Sequence, residues 1–255
     1  MSLSQPYPDT IEICIAGAGI SFPEHLSIET IETLGRCAII CTNLPEDHLE
    51  GLPGDLREKC RSLWPMYIEG RLRSENYTDV VEKVLRTAET ARSLVWLTQG
   101  HPLIFDSVSA NLIRQARARG WRVSVLPAIS SLDTILSEVE YDPAGGLFIH
   151  EATVLVASGI PIPSNVAVLL LQPSAFNDDV AKLTLDYGMP DLTPFRDYLM
   201  KFYDGAHRCA IVRSASRYTG PARLVWTTVS EVTKVPSRVL AGSTLFIPGN
   251  KPRTS

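Results

Sequence analysis

Two stretches of this chain hold residues whose types could do chemistry. The first is LVWLTQGHPLIFDS, residues 94–107, where a β-branched and aromatic run stops at Gln99-Gly100-His101-Pro102 before an apolar segment resumes. A strand that ends on a Gly-His-Pro turn ahead of a helix sets backbone groups and an imidazole where a ligand can be held. The second is LWPMYIEGRLRSENYTDVVEKVL, residues 63–85, where Arg73 and Tyr77 stand four residues apart. In a helix that begins early enough to contain both, they share one face. A cation and a phenol side by side are the groups that stabilise an oxyanion and move a proton. Spacing alone leaves a plainer alternative open: Arg73 pairs with Glu69 or Glu75, and Tyr77 is a core aromatic at a helix start.

Other chemistries lack their signatures. GAGISF, residues 17–22, follows a strand and invites a dinucleotide reading. Phe22, however, stands where Gly or Ala is required, and the second strand ends in Cys-Thr-Asn with no acid for a ribose. The glycines therefore either turn the chain or form a loop for a different ligand. There is no phosphate loop ending in Gly-Lys-Ser/Thr and no Gly-x-Ser-x-Gly elbow, the usual marks of phosphoryl transfer and serine hydrolysis. The five cysteines form no Cys-x-x-Cys pair and the five histidines are scattered. No metal site is expected, and the thiols are expected to be buried and reduced in a cytoplasmic protein.

These groups must be positioned by a fold that 255 residues, 45% of them hydrophobic and 20% charged, can build as one large domain or two small ones. A net charge of −4 makes no electrostatic case for nucleic acid or an anionic membrane. The longest clean apolar run, VAVLLL at 166–171, falls far short of the roughly 20 residues of a membrane span. MSLSQPYPDT lacks the basic start and apolar core of a secretory signal.

Strands are expected over 11–17, 38–42, 93–98 and 121–127. Helices are expected over 26–37, with Ser27 as N-cap, over 75–91 and over 107–119; 43–56 is read as a loop. Strands that are apolar throughout and alternate with helices imply a parallel sheet covered on both sides. Beyond Pro127 the pattern shifts to a short helix in AISSLDTILSEV, strands in GLFIHEA and NVAVLLLQP, and a helix in DVAKLTLDYG. Strand-like runs follow in RCAIVRSAS, ARLVWTTVSEV and STLFIPG. The expected fold is α/β: a parallel-sheet domain over 9–127, a mixed-sheet domain over 128–249, and a ligand cleft between them.

The order of motifs resembles a known family. A strand with GAG is followed by FPEHLS, then the turn in GHPLIF, then VSVLPAISSLD and a late GSTLFIP. This is similar to the tetrapyrrole-methylase superfamily, the class III S-adenosylmethionine-dependent methyltransferases, across about residues 11–248. Within it the chain most resembles the borosin-type peptide backbone α-N-methyltransferases. Those carry Gly-His-Pro where corrin and sirohaem methylases have Asp in place of His101, and the stretch 63–85 is similar to their aromatic-Pro-x-Tyr, Arg, Tyr pattern.

The resemblance implies S-adenosyl-L-methionine as cofactor and Tyr67, Arg73 and Tyr77 as catalytic residues. An amide nitrogen is a poor nucleophile until its proton is removed and the charge appearing on oxygen is stabilised. Arg73 would bind that oxygen, Tyr77, its pKa lowered by the cation, would be the base, and Tyr67 would orient the amide. The resemblance also places Gln99, His101 and Ile104 at the methionine and ribose end of the cofactor, with Ser130 and Ser131 following. Gln172, Ser214, Ser243 and Thr244 match further cofactor positions. Three departures stand out. Gln99 replaces a tyrosine, Leu103 replaces a glycine, and the first loop lacks the Gly-Asp pair of the tetrapyrrole enzymes, which argues against a corrin substrate.

Fused borosin proteins continue into a clasp and core peptide, whereas this chain stops at Ser255. A split arrangement is therefore expected, with a separate precursor peptide as substrate and, by resemblance, a homodimer. The alternatives are a methyltransferase of the same fold acting on a tetrapyrrole or other small molecule, and a catalytically silent module that binds the cofactor or a peptide.

Overall fold

The computed structural model describes residues 10–184, 188–217 and 219–250, and the chain divides into two compact units, 1–131 and 132–255. The first unit runs β1 (Glu12–Gly17), α1 (Ile28–Arg36), β2 (Ile39–Thr42), α2 (Gly54–Lys59), β3 (Cys60–Ser62), α3 (Arg73–Ala91), β4 (Ser93–Thr98), α4 (Ser107–Ala118) and β5 (Arg122–Leu126). Its five strands lie in the order β3-β2-β4-β1-β5, and every neighbouring pair is parallel. Cys14, Ala16, Ile40 and Val95 face Leu34 of α1 and Leu56 of α2. Ile13, Ile15, Leu94 and Trp96 face Val80 and Val84 of α3 and Leu112 of α4. Both faces are covered over the central strands β1, β2 and β4, which are buried almost throughout, while the edge strands β3 and β5 keep exposed polar residues such as Arg61, Arg122 and Ser124.

The second unit follows with α5 (Ser131–Glu138), β6 (Leu147–Glu151), α6 (Ala152–Ser158), β7 (Ala167–Leu171), α7 (Thr193–Leu199), β8 (Arg208–Arg213), β9 (Arg223–Thr228), α8 (Ser237–Leu240) and β10 (Thr244–Ile247). The strand order is β6-β7-β10-β8-β9, parallel at β6–β7 and antiparallel elsewhere. One parallel and one mixed sheet therefore match the α/β class read from the sequence.

Some elements depart from expectation. The stretch 43–56 is not plain loop: a 3-10 turn over Glu46–Gly51 leads into α2, which feeds the short edge strand β3. The helix expected over 179–188 is absent from 179–184, while 185–187 lie outside the described residues; the helical turns of that region come later, in α7, which opens with a proline at its first turn. HEATVLVASG hides α6, whose β-branched residues mask a helix set by its ends. Glu151 accepts the Val154 N–H at the start, and Gly159 adopts a left-handed φ of 66° at the end.

Candidate active site

The carboxyl ends of β1 and β4 mark where the first sheet changes its direction of winding. From β1 the crossover through α1 runs to β2, and from the adjacent β4 the crossover through α4 runs past β1 to β5. The two helices cover opposite faces. Neighbouring strands whose connections leave in opposite directions open a crevice at their carboxyl ends, the usual ligand position in such sheets.

The two loops meet there. Gly100 N–H donates to the Gly19 carbonyl at 2.9 Å, and Gly19 N–H returns a bond to Gly100 at 3.3 Å. Both glycines hold left-handed backbone, with φ of 76° and 74°. A Cβ on Gly17 would stand 2.3 Å from the Gly100 oxygen and 2.5 Å from the Ala128 Cβ. The glycines of GAGISF are thus required by close packing of three loops, rather than by a pyrophosphate.

In the β4 loop, Gln99 has an exposed side chain, and its backbone N–H donates to Asn43 Oδ1 at 3.0 Å. His101 Nδ1 accepts the Leu103 N–H at 3.1 Å, and the His101 carbonyl accepts the Ile104 N–H at 3.1 Å. The acceptor side of this imidazole is therefore used inside the turn. Asp106 caps α4. Its carboxylate accepts Ser109 N–H (2.9 Å), Ser109 Oγ (2.6 Å) and Thr98 Oγ1 (2.8 Å), while Asn43 Nδ2 donates to Thr98 and the buried Trp96 Nε1 to Ser109. Ser130 is buried, and Ser131 is the first residue of α5.

The catalytic trio expected from the resemblance comes together in this same unit. α3 begins at Arg73, two residues before the expected start, so Arg73 and Tyr77 occupy one helix face. Tyr67 lies edge-on to Tyr77, with ring centroids 6.3 Å apart, and stacks obliquely on Trp64 at 5.8 Å. Both tyrosines pack against the core under α3 and α4. Glu75, one of the plainer partners named for Arg73, accepts a bond from Arg71 at 3.1 Å.

The protonation of the phenols corrects one expectation. Tyr77 is raised, not lowered: burial outweighs the pull of Arg73, and the Asp106 carboxylate adds to the rise. Tyr67 is pushed well above the ordinary phenol range by burial, with Asp106 and Tyr77 contributing. Of the two, Tyr77 alone feels a cation.

In the second unit, Gln172, Ser214, Ser243 and Thr244 gather at one end of the sheet. Thr244 pairs with Leu171, which precedes Gln172, and with Val212, two residues before Ser214. Gln172 is exposed on left-handed backbone, with φ 58°. Ser214 Oγ bonds Thr134 Oγ1 at 2.6 Å. Ser243 donates its hydroxyl to the Leu240 carbonyl at 2.6 Å, a bond internal to the α8 turn, and Thr244 is buried in β10.

Two residues were missed by sequence reasoning. Asp106 carried a readable signal, an Asp directly ahead of a helical apolar pattern. Asn76 carried none. It is fully buried, receives the Ile68 N–H at 3.3 Å and donates to the Ile68 carbonyl at 3.1 Å, tying the residue after Tyr67 to α3. Among the described residues no group of three or more His, Cys, Asp or Glu could hold a metal ion, and no helix is long and apolar enough to cross a membrane.

The sequence model of the tetrapyrrole (corrin/porphyrin) methylases matches residues 12–232. A methyltransferase/ribosomally synthesized type I borosin cyclic peptide precursor of Coprinopsis marcescibilis is 25% identical over 166 residues, 65% of this chain and 42% of that protein. A second type I borosin precursor, of Cerrena unicolor, is 25% identical over 246 residues, 94% of this chain and 59% of that protein. The chain thus spans about half the length of the curated relatives it matches. The crystal structure of uroporphyrin-III C-methyl transferase from Thermus thermophilus complexed with S-adenyl homocysteine shares the fold. Its TM-score is 0.60 at 16% identity, with 93% of this chain and 92% of that chain covered.

Proposed function

The chain belongs to the tetrapyrrole (corrin/porphyrin) methylase family, whose members are S-adenosylmethionine-dependent methyltransferases. From that premise we propose that it methylates backbone amide nitrogens of a separate precursor peptide, iteratively, as a cytoplasmic homodimer. The observation that carries this reading is the grouping of Arg73, Tyr77 and Tyr67 within one unit, on and beside the start of α3. Similarity to borosin precursors supports a peptide acceptor.

The donor is assigned to the crevice. A sulfonium needs no acid to leave, and what the loops offer is backbone held close by glycines, with no carboxylate demanded at the sulfur. When bound, S-adenosylmethionine supplies an electrophilic methyl group and departs as a neutral thioether. Gln99, His101, Ile104, Ser130 and Ser131 are assigned to the donor, as are Gln172, Ser214, Ser243 and Thr244 of the second unit.

The chain's own residues treat the amide. Arg73 binds the amide oxygen and stabilises the charge that grows there as the N–H proton leaves. Tyr77 takes that proton, because its phenolate, unlike that of Tyr67, has a cation to favour it. Tyr67 stays a neutral phenol and orients the amide by donating a hydrogen bond. The raised Tyr77 makes the base scarce at neutral pH, so turnover is expected to depend on pH.

The test is mass spectrometry of a polypeptide encoded beside this chain or co-purified with it, incubated with S-adenosylmethionine. A ladder of about 14 Da increments on the peptide is expected, one CH₂ each. Arg73→Ala and Tyr77→Phe should abolish the ladder while S-adenosylhomocysteine still binds. Methylation of a porphyrinoid alone, or an unaffected ladder in both variants, rejects the proposal.

A further inference from the structure

His25 has no part in the site described so far, yet its ring closes the β1 loop. Nδ1 accepts the backbone N–H groups of Ile20 at 3.2 Å and Ser21 at 3.1 Å. A ring nitrogen that accepts two N–H groups presents its lone pair to them, so Nδ1 is the accepting nitrogen of this ring. The backbone of the same residue fastens the turn again, as His25 N–H donates to the Ser21 carbonyl at 2.8 Å. Packing is close, since a Cβ on Gly19 would fall 2.1 Å from the Cβ of His25. Gly19 is also the residue that exchanges two backbone bonds with Gly100 of the Gly-His-Pro turn. The imidazole therefore governs the course of the chain from the crevice to Ser27, the cap of α1. An aliphatic side chain here would leave two N–H groups without their acceptor, and the loop would relax to find others.

We propose that His25 is a positioning residue for the methyl donor, holding the β1 loop in the form that bonds Gly19 to Gly100 at the mouth of the crevice. It does so through Nδ1, acting as a double acceptor of backbone N–H groups. The inference rests on the assignment of S-adenosylmethionine to this crevice. Asparagine is the informative replacement, because its Oδ1 can stand where Nδ1 stands and accept the same two bonds; leucine has similar bulk and no acceptor.

The experiment is calorimetric titration of the full chain with S-adenosylhomocysteine for wild type, His25→Asn and His25→Leu, with each variant's melting temperature recorded. His25→Leu should bind at least tenfold more weakly, and His25→Asn within about threefold of wild type. Should His25→Leu fail to fold, ring ¹⁵N spectra of wild type decide: an unprotonated Nδ1 and a protonated Nε2 are expected. Equal weakening in both variants, unchanged affinity in His25→Leu, or a proton on Nδ1 overturns the inference. A wild type that binds no S-adenosylhomocysteine removes the proposed function and this inference with it. A wild type that binds beside an unaffected His25→Leu removes the inference alone.

Discussion

Asn76 offers the sharpest separation of fold from chemistry. Its amide sits fully buried in α3 and bonds both the N–H and the carbonyl of Ile68, whose carbonyl also accepts the Arg71 N–H, so Asn76→Ala deletes two interactions at once. Each such bond contributes about 1 kcal/mol net, giving roughly 2 kcal/mol for the pair. Alanine's better helix propensity returns about 0.5 kcal/mol. The net loss is about 1.5 kcal/mol, which corresponds to a fall of about 5 °C if the first unit melts by itself. Ile68 is 53% exposed, so water can satisfy its freed backbone groups and the loop remains intact but mobile. The larger effect then falls on chemistry: Tyr67, the next residue back, loses its fixed edge-on approach to Tyr77, and displacements of about 1 Å near reacting groups can cost on the order of a hundredfold in rate. Methylation of the peptide should drop at least tenfold in kcat, while S-adenosylhomocysteine affinity stays within twofold. Calorimetry and timed mass spectrometry read both. Lost stability with unchanged kcat would show that the Ile68 tether does not place Tyr67, and the reasoning would fail.

Four other outcomes follow from the structure. Turnover should climb with pH from 7 to 9, because the Tyr77 phenol is raised and its phenolate grows throughout that range; a plateau near neutrality would rule Tyr77 out as the base. Burial lifts Cys41 from an ordinary 9.0 to about 11, and Cys60 and Cys209 to about 12. A raised pKa means the unfolded thiol ionises first, so this stabilisation is complete below pH 9 and is lost as pH rises toward 12, at up to about 1.4 kcal/mol per unit for each thiol; urea midpoints at pH 8 and 10 should differ accordingly. Gly17→Ala, which drives a Cβ to 2.3 Å from the Gly100 oxygen, should part the loops and lower S-adenosylhomocysteine affinity at least tenfold in the same titration. Tyr203 buries a hydroxyl with no hydrogen-bond partner among the described residues, so Tyr203→Phe should leave stability unchanged or raise it by about 1 kcal/mol, seen as a higher melting temperature.

The sheet of the first unit was legible because burial on both faces prints a continuous apolar run: residues 11–17 and 93–98 read as strands, and they form β1 and β4. Ser27 and the long helix ending at Ala91 were legible from capping and spacing. The start of that helix was not, because Leu72 supplies no side-chain cap and the turn ahead of α3 is held by Asn76, a tertiary bond without local sequence sign. The residues of the trio were chosen by resemblance, and the structure groups them. The protonation of Tyr77 could not be read from its neighbour Arg73, since burial and the distant-in-sequence Asp106 both oppose that cation. α6 stayed hidden because its β-branched interior contradicts a helix, and only its two ends define one.

The place of β1 has a consequence for how the molecule is made. Among the described strands β1 comes earliest in the chain, yet both of its neighbours, β4 and β5, are translated after β2 and β3. Until they emerge from the ribosome, β1 has no partner on either edge, and β2 and β3 can pair only with each other. A nascent chain halted ahead of β4 thus exposes the apolar residues of β1, and ribosome-bound fragments of that length should recruit chaperones until β4 slots between β2 and β1.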